Sequence, residues 1–376
     1  MQSVIAEGCI SADSHIVEAH DTYRAYIEPR YRDRAPHIAS DDKGNDIYVI
    51  PGMTDRIPLG LVAGAGVSAQ DLKQRREGTR FADIHRSGSD PSYRVADQER
   101  DGVAGEVLYA SVGMVLCNHP DFDYKDACFT AYNRWLAEYC AGAPERLFGL
   151  AQTAVISVEA AIADVRRARA MGFVGMMMPG NPQLEDYDHS LYDPLWECCA
   201  DLKMPICFHI LTSKGSDVNS VFHGARGNKI NGFMNIIRGI QDIIGLFVLG
   251  GVFERHPTLK MVCAEGDAGW LPHYMYRMDH AYDRHGYHME ARGLTRMPSD
   301  YIRENVYFTF QDDWVAFKTA HEMNPRRLIW ANDFPHSDAT WPNSQALLAA
   351  HTQCVSEQER RWILRENVKE LFQLPC

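Results

Sequence analysis

From about residue 100 onward, short apolar runs alternate with stretches whose apolar positions recur at helical spacing. Val107-Leu108-Tyr109 reads as a strand, and residues 147–152, introduced by Pro144-Glu145-Arg146, as the next. Ser157 then caps a helix with Val158, Ala161, Ile162, Val165 and Ala168 on one face. Gly172 ends it, and residues 173–177 return to strand character. The rhythm continues with a helix at 192–202, a strand at 205–208, a long helical region at 233–253 and a strand at 260–264. A helix at 271–282, a strand at 305–310, a helix near 314–323 and a strand at 327–331 complete it. With residues 5–12 as the first strand, the count is eight. Strict alternation of strand and helix means parallel strands joined by helical crossovers. The expected fold is α/β, a distorted (β/α)₈ TIM barrel forming a single domain over 1–376.

The segment from about 25 to 95 breaks the rhythm and reads as an arm or lid inserted after the first strand. Ile47-Tyr48-Val49-Ile50 before Pro51-Gly52 looks like half a hairpin, residues 59–68 form a flexible apolar, glycine-rich loop, and residues 74–80 are charged. An open doubly wound sheet would want a glycine-rich phosphate loop, and the spacing of Gly60, Gly64 and Gly66 does not match one.

Composition narrows the partners. A net charge of -12 argues against nucleic acid or an anionic membrane and leaves a small molecule as the expected partner, with a homodimer as the expected assembly. The ten cysteines are scattered without a CxxC, as reduced thiols would be, and Cys207 and Cys263 fall in barrel strands as packing residues. No basic leader precedes an apolar core at the start, and the apolar stretch 243–253 is too short to span a bilayer, so a cytoplasmic enzyme is expected.

The chemistry sits at the strand ends. Asp13 and His15 are two apart, so a strand turns both to one face. His209 closes Met-Pro-Ile-Cys-Phe-His, Glu265 follows the sixth strand, and Asp333 follows Leu328-Ile329-Trp330. Taken singly, Asp13–His15 reads equally as a hydrogen-bonded pair, His209 as a core residue and Asp333 as a helix cap. Together they offer two nitrogens and two oxygens, a set that suits zinc first and manganese or ferrous iron as alternatives. Glu265 would serve as a general base or hold a water, or else pair with Arg277 or Lys260. His336, Asp338, Trp341 and Arg94 are candidates for substrate contact, with loop caps, core packing and a structural ion pair as the competing readings. His285 and His288 read as solvated loop histidines.

The Asp-Ser-His-Ile-Val-Glu opening, His209, the segment from His256-Pro257 to Glu265 and Asn332-Asp333-Phe-Pro-His336 resemble the amidohydrolase-related branch of the amidohydrolase superfamily. That branch holds aminocarboxymuconate-semialdehyde and hydroxybenzoate decarboxylases beside metal-dependent hydrolases. The resemblance implies a distorted barrel and one divalent metal, with Asp13, His15, His209 and Asp333 as ligands and Asp333 also handling a proton. Two departures stand out. The decarboxylases open with His-x-His or Glu-x-His, and they carry a Gly-His-x-Gly histidine where this chain has Glu265. Met176, Met177 and Met178 end the fourth strand, where a bridging lysine would be needed for two metals.

The reading that follows is a hydrolase whose metal-activated water attacks the carbonyl of a small, cyclic or aromatic substrate, with Asp333, Glu265 and His209 as the catalytic residues. The alternatives are non-oxidative decarboxylation of an aromatic or enol acid, and a metal-stabilised barrel that binds a ligand without turning it over.

Overall fold

The computed structural model describes residues 3–54, 56–212, 227, 228, 230–289, 291 and 293–375. Eight parallel strands form a nearly closed barrel in the order β1 (Cys9–His15), β5 (Val103–Tyr109), β6 (Leu147–Gln152), β7 (Gly175–Met177), β8 (Ile206–His209), β9 (Met261–Ala264), β10 (Val306–Phe310) and β11 (Leu328–Trp330). The strands intervening in sequence, β2 (His37–Ser40), β3 (Asp46–Val49) and β4 (Arg56–Pro58), make a separate antiparallel sheet. The sequence pattern shows only half of that sheet, because β2 and β4 are too short and too polar to stand out.

Barrel strands are apolar on both faces, since one face meets the barrel interior and the other meets helices. Cys207 and Cys263 accordingly pack in β8 and β9, fully buried. Among the described residues the cysteines are free thiols. The Ser157 cap is present, with its side chain accepting the Ala160 N–H at 3.1 Å. The long apolar region is helical from Ile230 but breaks into Ile236–Leu249 and Val252–Arg255, because Gly251 adopts φ 73° between them. From Ile230 to Leu249 it is 20 residues long and, by length and composition, apolar enough to cross a membrane. Its Ile240, Ile243, Ile244, Phe247 and Val248 are buried in the protein core.

The first strand begins and ends later than its apolar run, so Asp13 and His15 lie inside β1 rather than beyond it. The last strand meets the first through two backbone hydrogen bonds: Asp333 N–H donates to the Asp13 carbonyl at 3.1 Å, and His15 N–H donates to the Phe334 carbonyl at 2.7 Å. Asn332 reinforces this seam, its Oδ1 accepting from Ser11 Oγ at 3.1 Å and Ser14 Oγ at 2.8 Å.

Arg94, a candidate for substrate contact or a structural ion pair, takes the second role and locks the seam from within. It is wholly buried, bonds Glu106 Oε2 through Nε at 2.6 Å, and donates to the carbonyls of His15 at 2.8 Å and Phe334 at 3.1 Å. Its five donors suit it to tie a carboxylate and two carbonyls at once. Replacing Arg94 by Met would strand a buried carboxylate, so we expect a loss of about 3–5 kcal/mol in urea unfolding. The double replacement Arg94→Met/Glu106→Leu should lose distinctly less, because no buried charge is then left unpaired.

Candidate metal centre

The barrel mouth gathers side chains from strands that are distant in sequence. His15 Nε2 lies 3.4 Å from Asp13 Oδ1, 3.4 Å from Asp333 Oδ1 and 3.6 Å from Glu265 Oε2. His209 Nε2 lies 3.2 Å from Glu265 Oε2 and 3.7 Å from Asp13 Oδ1. All five side chains are buried or nearly so, and the atoms named have no hydrogen-bond partner, nor does Asp333 Oδ2. Buried polar atoms without partners are costly. These donors fall into two overlapping groups, Asp13, His15 and His209, and His15, Glu265, Asp333 and His336, and the carboxylate–imidazole set suits a divalent cation that would satisfy them. Glu265, expected as a base, is thus as near the centre as the four expected ligands. It does not pair with Lys260, whose Nζ donates to the Glu304 carbonyl at 3.0 Å.

The supporting contacts fit the same reading. His15 Nδ1 lies 3.3 Å from the Ala110 carbonyl, and His209 Nδ1 lies 3.1 Å from the Ile210 carbonyl. A carbonyl only accepts, so each Nδ1 carries a proton and each Nε2 lone pair is left for the centre. Thr309 on β10 donates its hydroxyl to Asp13 Oδ2 at 3.0 Å and accepts the Glu265 N–H at 2.7 Å. Nothing in the sequence singles out Thr309, because its role exists only once β1, β9 and β10 lie side by side. Glu265 and Asp333 also hold left-handed backbone, φ 56° and 55°. Such conformations are uncommon outside glycine and cluster at functional sites.

Charge balance follows from burial and proximity. Burial pushes Asp333 well above the ordinary carboxylate range, and the Glu265 and Asp13 carboxylates push it further. Burial also acts against the charge on Glu265, but the neighbouring His15 and His209 imidazoles outweigh it and hold Glu265 low. For His209, burial opposes the charge, yet Asp13 and Glu265 raise it to about 10. His336 moves down, through burial and the neighbouring His15.

His336 Nδ1 lies 3.1 Å from Asp333 Oδ1, and its ring stacks on His15 at 3.7 Å between centroids. With Glu265, Asp333 and Asp338 it forms the polar edge of a cavity of about 110 Å³. Its apolar lining includes Met114, Val115, Ile210 and Leu211. Ile57, Leu61 and Val62 of the inserted segment also line it. The 59–68 stretch is therefore not a flexible loop where it reaches the site: Leu59–Val62 is a short helix with Leu59 and Val62 buried. Trp341, a candidate for substrate contact, packs instead on Phe334 at 5.1 Å and donates Nε1–H to the Asp97 carbonyl at 3.1 Å. A larger groove of about 810 Å³, lined in part by His285, shares no lining residue with this cavity.

The amidohydrolase family model matches residues 82–374. The chain belongs to the amidohydrolase family. Among curated relatives, this amidohydrolase is 24% identical over 261 residues to gamma-resorcylate decarboxylase of Rhizobium sp., covering 64% of the chain and 75% of the relative. It is 25% identical over 218 residues to 2-amino-3-carboxymuconate-6-semialdehyde decarboxylase of Dictyostelium discoideum, covering 56% and 57%. An amidohydrolase from Mycobacterium avium subsp. paratuberculosis superposes with a TM-score of 0.79 at 20% identity, covering 98% of both chains. The 5-carboxyvanillate decarboxylase of Novosphingobium aromaticivorans, solved with bound manganese, superposes with a TM-score of 0.68 at 18% identity, covering 97% of both. At these identities the superpositions speak for the barrel fold. The hydrolytic reaction expected from the sequence finds no support among the curated relatives described, which are decarboxylases.

The carboxylates that raise His209 favour a proton on it, which a bound metal would displace. We expect one divalent cation per chain, proton release on metal addition near pH 8, and affinity that weakens as pH falls, read by calorimetry in two buffers of different ionisation enthalpy. His209→Ala should weaken binding by at least an order of magnitude.

Proposed function

We propose that this amidohydrolase is a metal-dependent, non-oxidative decarboxylase of an aromatic or enol acid. The observation that carries it is the cavity: an apolar lining of Met114, Val115, Ile210 and Leu211 shares one small space with a polar edge of Glu265, His336 and Asp333, two of which belong to the candidate centre. A flat ring fits the first side, and its oxygen substituents fit the second. The curated relatives support the same reaction class.

A cation held by Asp13, His15, His209 and Asp333, with Glu265 in reach, would supply positive charge to bind substrate oxygens and offset charge developing on them. Manganese, present in the 5-carboxyvanillate decarboxylase, becomes the first metal to test, ahead of zinc. Asp333 faces the cavity with Oδ1 beside His336 and Oδ2 without a hydrogen-bond partner, and is placed to deliver a proton to the ring carbon that bears the carboxylate. The bond from that carbon to the carboxylate then breaks, its electron pair returns to the ring, and carbon dioxide leaves. Met114, Val115, Ile210 and Leu211 hold the ring and keep water from the carbon.

The manganese-loaded protein should release carbon dioxide one-for-one with loss of an ortho-hydroxybenzoate and, in deuterium oxide, place one deuterium at the vacated carbon. Asp333→Asn should depress turnover by about 10²- to 10⁴-fold. Oxygen from labelled water in the product, without carbon dioxide, would return the case to hydrolysis.

A further inference from the structure

Three side chains of the inserted segment, Ile57, Leu61 and Val62, help to line the cavity beside the candidate centre. Ile57 lies on β4 and pairs with Tyr48 of β3, whose hydroxyl donates to the Glu18 carbonyl. Leu61 and Val62 lie on the short helix that follows. Ile57 and Val62 are buried, whereas Leu61 is half-buried and also reaches solvent.

Main-chain contacts hold this wall against the loop that carries Asp333 and His336. Ser337 N–H donates to the Leu61 carbonyl at 2.8 Å, and Ala65 N–H donates to the Pro335 carbonyl at 3.0 Å. Between them, a Cβ added at Gly64 would lie 2.9 Å from Ser337 Cβ and 2.7 Å from the Gly60 carbonyl oxygen, so the two segments touch closely. The inserted segment is tied down elsewhere as well. His119 Nε2 lies 3.0 Å from the Pro51 carbonyl, and the Tyr124 hydroxyl donates to the Arg34 carbonyl at 2.6 Å. A wall held at several points yields little to an oversized ligand, because a packed interior answers added volume with strain.

Size then decides what the cavity accepts. Its volume is about 110 Å³. Pockets for drug-sized ligands run to roughly 300–1,000 Å³, whereas an apolar cavity of about 150 Å³ takes one benzene ring. The cavity therefore matches a single six-membered ring with its substituents turned to the polar edge.

We propose that Leu61 is a specificity-determining residue which, with Ile57 and Val62, limits the substrate to acids of one six-membered ring and turns away fused bicyclic ones. A fused second ring adds four carbons, and leucine carries three beyond Cβ, so Leu61 takes up much of the space that the second ring would need. That the ring belongs to an acid to be decarboxylated rests on the reaction proposed above, whereas the size limit rests on the cavity alone.

The test compares ortho-hydroxybenzoate with an ortho-hydroxynaphthoate, which keeps the same two substituents and adds one fused ring. Binding to the manganese-loaded protein is read by calorimetry and turnover by carbon dioxide release. A single methylene in an apolar pocket already discriminates by about 10- to 200-fold, so the wild type should favour the single ring by at least about 100-fold in both measurements. Leu61→Ala should narrow that ratio at least about 10-fold, through a gain for the bicyclic acid. Leu61→Phe should act in the opposite sense and weaken binding of the single ring at least about 10-fold. Metal content should stay at one per chain in both variants. A wild type that binds the two acids equally, or binds neither, would overturn the proposal, as would a ratio that Leu61→Ala leaves unchanged. If the binding ratio appears and moves with Leu61 while no acid releases carbon dioxide, the size limit stands and the decarboxylase reading fails.

Discussion

Asp13 and Asp333 come from opposite ends of the chain, and one backbone hydrogen bond, from the Asp333 N–H to the Asp13 carbonyl, holds them side by side. The neighbouring bond from His15 N–H to the Phe334 carbonyl completes the seam. Everything at the mouth depends on this register, because a slip of one residue would turn each side chain to the opposite face. Arg94, Asn332, Ser11 and Ser14 spend their hydrogen-bonding capacity on the seam rather than on any ligand. The frame is fixed before a cation or substrate arrives, as precise coordination requires.

Once the seam is set, it crowds charge into a buried space. Carboxylates of Asp13, Glu265 and Asp333 share the centre with the imidazoles of His15 and His209, and the oxygens and nitrogens turned inward have no protein partners. Such a cluster would be hard to explain as packing, since apolar side chains would fill the volume at lower cost. The left-handed backbone of Glu265 and Asp333 adds strain at the same place. Both features make sense together if the cluster is completed by a cation.

Three imidazoles meet there, and their orientation is set one shell out. Backbone carbonyls of Ala110 and Ile210 fix His15 and His209, while a serine hydroxyl faces His336. The apolar wall is shared between the barrel and the inserted segment, through Ile57, Leu61 and Val62. The segment that interrupts the barrel rhythm thus helps to enclose the site.

Much of this is written locally in the chain. Strand and helix periods, the Ser157 cap, and the acids and histidines at strand ends are short-range signals, and they suffice for a barrel with a candidate metal site at its mouth. For Arg94 and Trp341 the sequence leaves two readings open because a residue type does not reveal its partner: Arg94 forms the structural ion pair, with Glu106, and Trp341 packs on Phe334. Thr309 and Ser111 carry no motif at all, yet they meet Asp13 and His336. What the sequence alone determined was which residues could bind and where each strand ends, because both follow from alternation along a few residues. Which atoms converge, which nitrogens are bare and which charges are left unpaired was decided only by tertiary structure, since those depend on strands brought together from across the whole chain.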